Sequence, residues 1–315
     1  MMKTTFEMKS MKGYLMAAAV ALISATAAHA QQDPMYNQYL FNAYTINPAE
    51  AGARNYGTVS MLYRWQWVGI EGAPNTGSFG LETGIGKGWG IGLNVVDDRI
   101  GPTSNQTVNM AVSYHLNLTE RTKMAVGLNG VINTQRVSLN KLKTLIDLND
   151  PALTNNVSQF NPNAGGGVLI YNERSFFGVA MPRLIEYKLT NSNLVSIDQL
   201  RHLFIYAGKT FPLGTHLKFK PSVLTKVVDG APMEFDVNGV INFYNLLDLG
   251  VNWRTGDGIG ALAGITIKDR LQLNYAYEMP LTKIRYGSIQ THEIGLRYRF
   301  GKQNFQRIQS PRFFN

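Results

Sequence analysis

Alternation of apolar and polar residues at period two, sustained from about residue 57 to residue 300, constrains this chain more than any other feature. In "EIGLRYRFG", which starts at Glu293, Ile294, Leu296, Tyr298 and Phe300 alternate with Gly295, Arg297 and Arg299. A β-strand sends successive side chains to opposite faces, so each such segment has one greasy face and one polar face. "TVSMLYRWQWV" sets Val59, Met61, Tyr63, Trp65 and Trp67 against Ser60, Arg64 and Gln66. "TVNMAVSYHLNL" sets Val108, Met110, Val112, Tyr114, Leu116 and Leu118 against Asn109, Ser113, His115 and Asn117. "MAVGLNGVIN", "LDLGVNW" and "LQLNYAYE" repeat the pattern, and no run of helices is available to cover the greasy faces. In a soluble sheet those faces meet a protein core. In an outer-membrane barrel they meet lipid, and the polar faces line a lumen.

The connections decide between the two. Tight ones fall near Gly86–Gly88, Glu120–Arg121, Asn172–Arg174, Leu213–Thr215, Asn245–Leu246 and Asp269–Arg270. Mostly longer ones fall near Ile70–Thr76, Asp97–Ser104, Arg136–Pro162, Glu186–Gln199, Asp229–Pro232, Thr255–Asp257 and Leu281–Ser288. They alternate along the chain, as short periplasmic turns and longer external loops do in a transmembrane barrel. The expected fold is therefore all-β: a transmembrane antiparallel up-and-down β-barrel of about 14 strands with both ends in the periplasm. Aromatic residues near strand ends, among them Tyr63, Trp65, Trp67, Tyr275, Tyr277, Tyr298 and Phe300, suit membrane interfaces.

The flanks complete the layout. Lys3, Lys9 and Lys12 precede the apolar run "YLMAAAVALISATA", and "AHA" ends at Ala30. That is the arrangement of a Sec signal peptide, so residues 1–30 are expected to be removed and the mature chain to begin at Gln31. No later stretch has the ~18 consecutive apolar residues of a helical membrane span. Residues 31–56, rich in aromatics and amides, form an irregular lead-in to a barrel over 57–301. Its Tyr36, Tyr39, Phe41 and Tyr44 mark a candidate plug, since a barrel of this size has room for one and exposing those rings in water is costly. Residues 302–315 are a short basic-aromatic tail, either a frayed end or a periplasmic contact peptide.

Composition excludes several activities. Lys+Arg 30 against Asp+Glu 21 makes the chain basic, but the cations are scattered and no basic helix or aromatic-interleaved cluster points to nucleic acid. Contact with anionic lipid headgroups explains them more simply. Cys is absent. The glycines of "GIGKGWGIG" lack the Ser/Thr and strand-turn-helix setting of a phosphate loop and suit a hairpin between two strands. The histidines lack metal-ligand spacing. His115 beside Ser113 is the one local pair of the kind a hydrolase uses, and lumen lining is the plainer reading. Asp97-Asp98 suits a solvated turn better than a cation site. No cofactor or metal is implied. Arg64, Arg254, Arg297 and Arg299 are candidate lumen charges. They would set anion preference in a pore or pair with Asp236, Asp248, Glu278 and Glu293. In the longest loop, Leu142, Leu145, Ile146 and Leu148 are more apolar than a solvated loop requires, and they mark a candidate partner-binding surface or a helix capping the mouth.

Several segments resemble a known family. "QDPMYNQYLFN…INPAEAG" at 32–52, "YRWQWVGIEGAPNTGSF" at 63–79, "DDRIGP" at 97–102, "THEIGLRYRF" at 291–300 and the terminal "SPRFF" are similar to the PorP/SprF family of type IX secretion outer-membrane proteins of Bacteroidetes. The resemblance implies a non-enzymatic barrel serving secretion or surface display, in some members tied to gliding motility. It implies cargo with a C-terminal sorting domain, often adhesins, and contact with other secretion components. It brings no catalytic residues. Glu50 in "NPAEAG" departs from the aromatic or small residue expected there and bears on how that turn packs. Two further readings stand beside it: a passive porin-like channel and an outer-membrane lipid-modifying enzyme.

Overall fold

The computed structural model of the protein describes residues 35–54, 56–138, 156–191, 195–288 and 290–301. The strands run β1 Gly57–Trp65, β2 Asn75–Gly86, β3 Trp89–Ile100, β4 Thr103–Asn117, β5 Lys123–Val137, β6 Val157–Tyr171, β7 Ser175–Met181, β8 Tyr187–Asn191 and β9 Val195–Gln199. They continue with β10 His202–Lys209, β11 Phe211–Pro212, β12 Leu217–Val228, β13 Glu234–Phe243, β14 Leu247–Arg254, β15 Gly258–Ile267, β16 Leu271–Pro280 and β17 Thr291–Phe300. Neighbours pair antiparallel in chain order, β7 pairs with β10, β10 with β12, and β17 returns to β1. The wall is a closed barrel of 14 strands. β8 and β9 form a separate hairpin, and β11 is a stub beside β12. Closure leaves no open edge, which is what a sheet in hydrocarbon requires.

Burial is inverted relative to a soluble sheet. On β1, Thr58, Ser60, Leu62 and Arg64 are buried, while Met61, Tyr63 and Trp65 are exposed. On β5, Asn129, Asn133 and Gln135 are buried while Val126, Leu128 and Ile132 stand outside. A soluble protein does not expose so continuous an apolar surface, and hydrocarbon is the solvent that suits it.

The connections separate into two mouths. At the long-loop mouth, β1–β2 are joined by residues 66–74, β5–β6 by 138–156, β7–β10 by 182–201 with the β8–β9 hairpin inside, and β16–β17 by 281–290. At the short-turn mouth, β2–β3 are joined by 87–88 and β13–β14 by 244–246. One expected long connection is short. Asp97–Ser104 is mostly strand, because Asp97 pairs with Gln106 and Asp98 with Asn105, leaving Gly101 and Pro102 as the turn. Likewise Pro162, read as the end of a loop, lies inside β6 opposite Ile132.

The lead-in fills the lumen. Two short 3-10 helices, Tyr39–Thr45 and Pro48–Glu50, are joined irregularly, with the Asn47 side chain accepting the Ala49 N–H at 2.9 Å as an N-cap. Met35 and Tyr36 sit at the long-loop mouth, beside Asp98, Ile100 and Arg183. Gly52, Ala53, Arg54 and Tyr56 reach the short-turn mouth beside Gly84, Gly88 and Gly301. The two ends of the barrel, Gly57 and Phe300, pair with each other and so share one mouth, as an even strand number requires. Met35 lies at the other mouth, because the lead-in runs the height of the lumen before it enters β1.

Candidate functional site

The contacts between lead-in and wall can be followed from mouth to mouth. Near the long-loop end, the Glu293 carboxylate accepts the backbone N–H of Asn37 and of Gln38, each at 3.0 Å. Arg254 donates to the Tyr36 carbonyl at 3.0 Å. At mid-height the Tyr39 hydroxyl meets Ser222 Oγ at 2.8 Å, and Phe41 lies under the Arg297 guanidinium with 4.2 Å to the ring centre. Lower down, Tyr44 donates to the Asn109 carbonyl at 3.1 Å, and Asn47 donates to the Val168 carbonyl at 3.0 Å. Glu50 accepts the Tyr206 hydroxyl at 2.7 Å, so the unexpected carboxylate in "NPAEAG" is seated by a wall tyrosine. Tyr36, Tyr39, Phe41 and Tyr44, the four rings singled out in the sequence, are all buried inside the barrel.

Glycine on the lumen face makes the room. A Cβ on Gly127 would stand 2.2 Å from Ala49 N, and one on Gly90 would stand 2.3 Å from the Ala51 carbonyl oxygen. No side chain fits at either position while the lead-in is in place. Gly90 and Gly92 of the glycine-rich hairpin therefore seat backbone and the Tyr44 ring. A signal for this existed in the sequence: glycine recurring at period two on the polar face of a strand marks close approach of another backbone.

The four candidate lumen arginines are all buried on the inner wall, but they split into two settings. Toward the long-loop mouth, Arg64 binds Glu278 at 2.9 Å and Glu293 at 3.1 Å. Arg254 binds Asp236 at 2.7 Å and Asp257 at 3.2 Å, with Glu234 and Glu278 both at 3.7 Å. Lys226 joins through Glu234 at 2.7 Å. This network continues through Glu293 into the lead-in backbone. Lower in the lumen, Arg297 lies over Phe41 and donates to Gln272 at 3.3 Å, while Arg299 lies over Tyr56 with 5.4 Å to the ring centre. Asp248, a suggested arginine partner, pairs instead with Lys220 at 3.5 Å. Buried ion pairs gain little net stability, because desolvation offsets attraction, but they strongly disfavour any arrangement that leaves one partner alone. They fix where the lead-in sits.

Ser113 and His115 do come together, at 3.1 Å. Ser113 Oγ donates to the Ala51 carbonyl at 2.5 Å. His115 Nε2 lies 2.9 Å from the same carbonyl and Nδ1 lies 2.9 Å from the Tyr171 hydroxyl. Since the carbonyl can only accept, Nε2 carries the proton. A histidine protonated there cannot act as base toward that serine. The pair anchors Ala51. Leu142, Leu145, Ile146 and Leu148 lie outside the described residues.

A closed barrel with an apolar outer band, a polar lumen and its own N-terminal residues inside is a membrane β-barrel of the outer-membrane kind. A family model described as type IX secretion system membrane protein PorP/SprF matches residues 28–298, and the chain belongs to that family. It is accordingly an outer-membrane protein. No curated protein matches it in sequence. Among solved structures, the Ralstonia pickettii toluene transporter TbuX is 11% identical, with a TM-score of 0.48 over 84% of this chain and 93% of that one. A Pseudomonas aeruginosa FadL homologue is 11% identical, with a TM-score of 0.46 over 85% and 95%. The Acinetobacter baumannii outer membrane protein Omp33 is 10% identical, with a TM-score of 0.45 over 79% and 100%.

Proposed function

We propose that this protein is a non-enzymatic component of type IX secretion that binds specific secreted cargo, adhesins among them, and anchors it or helps its export. The work is done at the mouths of the barrel. The observation that carries this reading is the lead-in inside the barrel, where Tyr36, Tyr39, Phe41 and Tyr44 are buried against the lumen wall and stand in the way of a polypeptide or a steady ion current. In this reading the lead-in is a plug, the long loops face outward and recognise cargo, and the short turns and C-terminal tail face the periplasm and other secretion components. Long loops on a rigid wall are the natural seat of recognition.

The porin reading is disfavoured by the same filling. The lipid-modifying enzyme reading is disfavoured because its best histidine holds Ala51. The test is a planar-bilayer recording of the full mature chain beside one lacking residues 31–52. The intact protein should stay essentially closed and the truncated one should conduct. Large, steady conductance of the intact protein would return the porin reading to first place.

A further inference from the structure

Between the lead-in and strands β3 to β5 lies a cavity of about 120 Å³ at the long-loop end of the lumen, beside Met35 and Arg183. Strand register lays out its wall as a grid. Asp98 pairs with Asn105 and Asn105 with Gln135, so a carboxylate and two amides stand in one row nearest the mouth. One step deeper the row is Val96, Thr107 and Asn133. The third row is Asn94, Asn109 and Val131. All of these lie on the lumen side of their strands, since Val95, Met110 and Ile132 between them are exposed on the lipid side.

The deeper amides are committed to the protein. Asn94 donates to the Phe79 carbonyl at 2.9 Å, Asn109 accepts from Asn129 at 3.1 Å, and Asn133 donates to Thr107 at 2.8 Å. The row at the mouth differs. Gln135 is only 5% exposed and Asn105 is half-buried, yet neither amide has a hydrogen-bond partner among the described residues. Buried amides are normally paired. Water would satisfy them, but it gains nothing from Ile46, Val131 and Phe204, which also line the cavity. Asp98 and Arg183 are the charged residues of the lining, one of each sign, so it favours neither anion nor cation. The occupant that suits such a lining is uncharged. It has hydroxyls that both donate and accept, an apolar C–H face, and about the size of one ring.

A pyranose sugar has these properties. We infer that the cavity binds a single neutral sugar ring, the end of a larger glycan entering from the long-loop side. Asn105 and Gln135 would each donate to and accept from its hydroxyls, while the aliphatic and aromatic groups cover its C–H face. Tyr36 and Ile46 line the same cavity, so the ring would touch lead-in and wall together. The side of the membrane that supplies the glycan rests on the orientation given under Proposed function. The chemistry of the cavity does not.

The experiment uses the full mature chain in lipid nanodiscs and saturation-transfer NMR with glucose, galactose, mannose and N-acetylglucosamine, and with glucuronate and glucosamine as charged controls. At least one neutral sugar should bind saturably, and the charged sugars should bind more weakly. The double variant Asn105→Leu with Gln135→Leu should weaken binding about tenfold or more, and Gln135→Leu alone should weaken it several-fold. These amides have no protein partner to lose, so both variants should keep heat-modifiable migration on a gel. The proposal is overturned if none of the four neutral sugars binds, which would make the cavity a water site only. It is also overturned if the charged sugars bind equally well, or if both variants bind as the wild type does. Competition by a glycopeptide carrying the bound sugar would assign a glycosylated protein as the source, and competition by an oligosaccharide ending in it a polysaccharide. Competition by neither would overturn the proposal. Sugar binding is read on the purified barrel, so it can fail or stand whatever the cargo experiments show.

Discussion

Glu293→Gln is the sharpest probe of how the lead-in is held. The wild-type carboxylate accepts Asn37 N and Gln38 N, each at 3.0 Å, and Arg64 at 3.1 Å. Glutamine offers one acceptor oxygen in place of two and removes the charge, so at least one backbone N–H or the guanidinium loses its partner. Arg64 keeps Glu278 at 2.9 Å. Removing one partner of a buried charge pair costs about 3–5 kcal/mol. Burial of Tyr36, Tyr39, Phe41 and Tyr44 opposes release, at about 1.5–3 kcal/mol each and as an upper estimate. The lead-in should therefore remain docked on average, but its upper part should open far more often. At about 1.4 kcal/mol per factor of ten, local opening rises by two orders of magnitude or more. Hydrogen–deuterium exchange at the amides of Asn37 and Gln38 measures this directly. Ser222→Ala, which removes only the neutral contact to Tyr39 at 2.8 Å, should have a much smaller effect. Unchanged protection of Asn37 and Gln38 in Glu293→Gln would refute the view that this carboxylate pins the segment.

Gly127→Val should displace the lead-in near Ala49, since even a Cβ would stand 2.2 Å from its nitrogen. The expected readout is new protease sensitivity between residues 35 and 56, with strand content by circular dichroism unchanged. Leu128, 64% exposed near the middle of β5, faces lipid in this fold, so Leu128→Arg should destabilise the barrel in liposomes by about 2–4 kcal/mol in urea unfolding. No loss of stability there would mean the apolar band does not meet the bilayer core. Leu142→Ser with Ile146→Ser should release cargo from the cell surface while insertion and heat-modifiability persist. Retained cargo would assign that loop to architecture.

The parts of this fold written at period two were legible in the sequence, and the parts written by backbone contact were not. Each transmembrane strand must present one face to lipid and one to the lumen, so Ile294, Leu296 and Tyr298 against Arg297 and Arg299 could be sorted without coordinates. Loop boundaries were less secure because strands extend past the hydrocarbon. Once there, polar pairs such as Asp97 with Gln106 stay in the ladder although they look like turn residues. Pro162 misled for a related reason: proline is a breaker in the interior of a soluble sheet, yet β6 carries it opposite Ile132.

The lead-in shows the limit most clearly. Its aromatic content argued for burial, because Tyr36, Tyr39, Phe41 and Tyr44 gain nothing from water, and burial is what the lumen provides. Its direction had no such signal. That direction follows from pairs distant in the chain: Asn37 with Glu293, Tyr39 with Ser222, Ala51 with Ser113. None of these residue types is diagnostic alone. Together they descend the wall in order, and Gly127 and Gly90 leave space only where the backbone passes. Since β1 begins at the short-turn mouth, a segment that fills the lumen and then enters β1 must start near the other mouth. The lead-in makes that passage even with compact turns at Tyr39–Thr45 and Pro48–Glu50, and the order of its contacts, from Asn37 on Glu293 to Ala51 on Ser113, shows that it does.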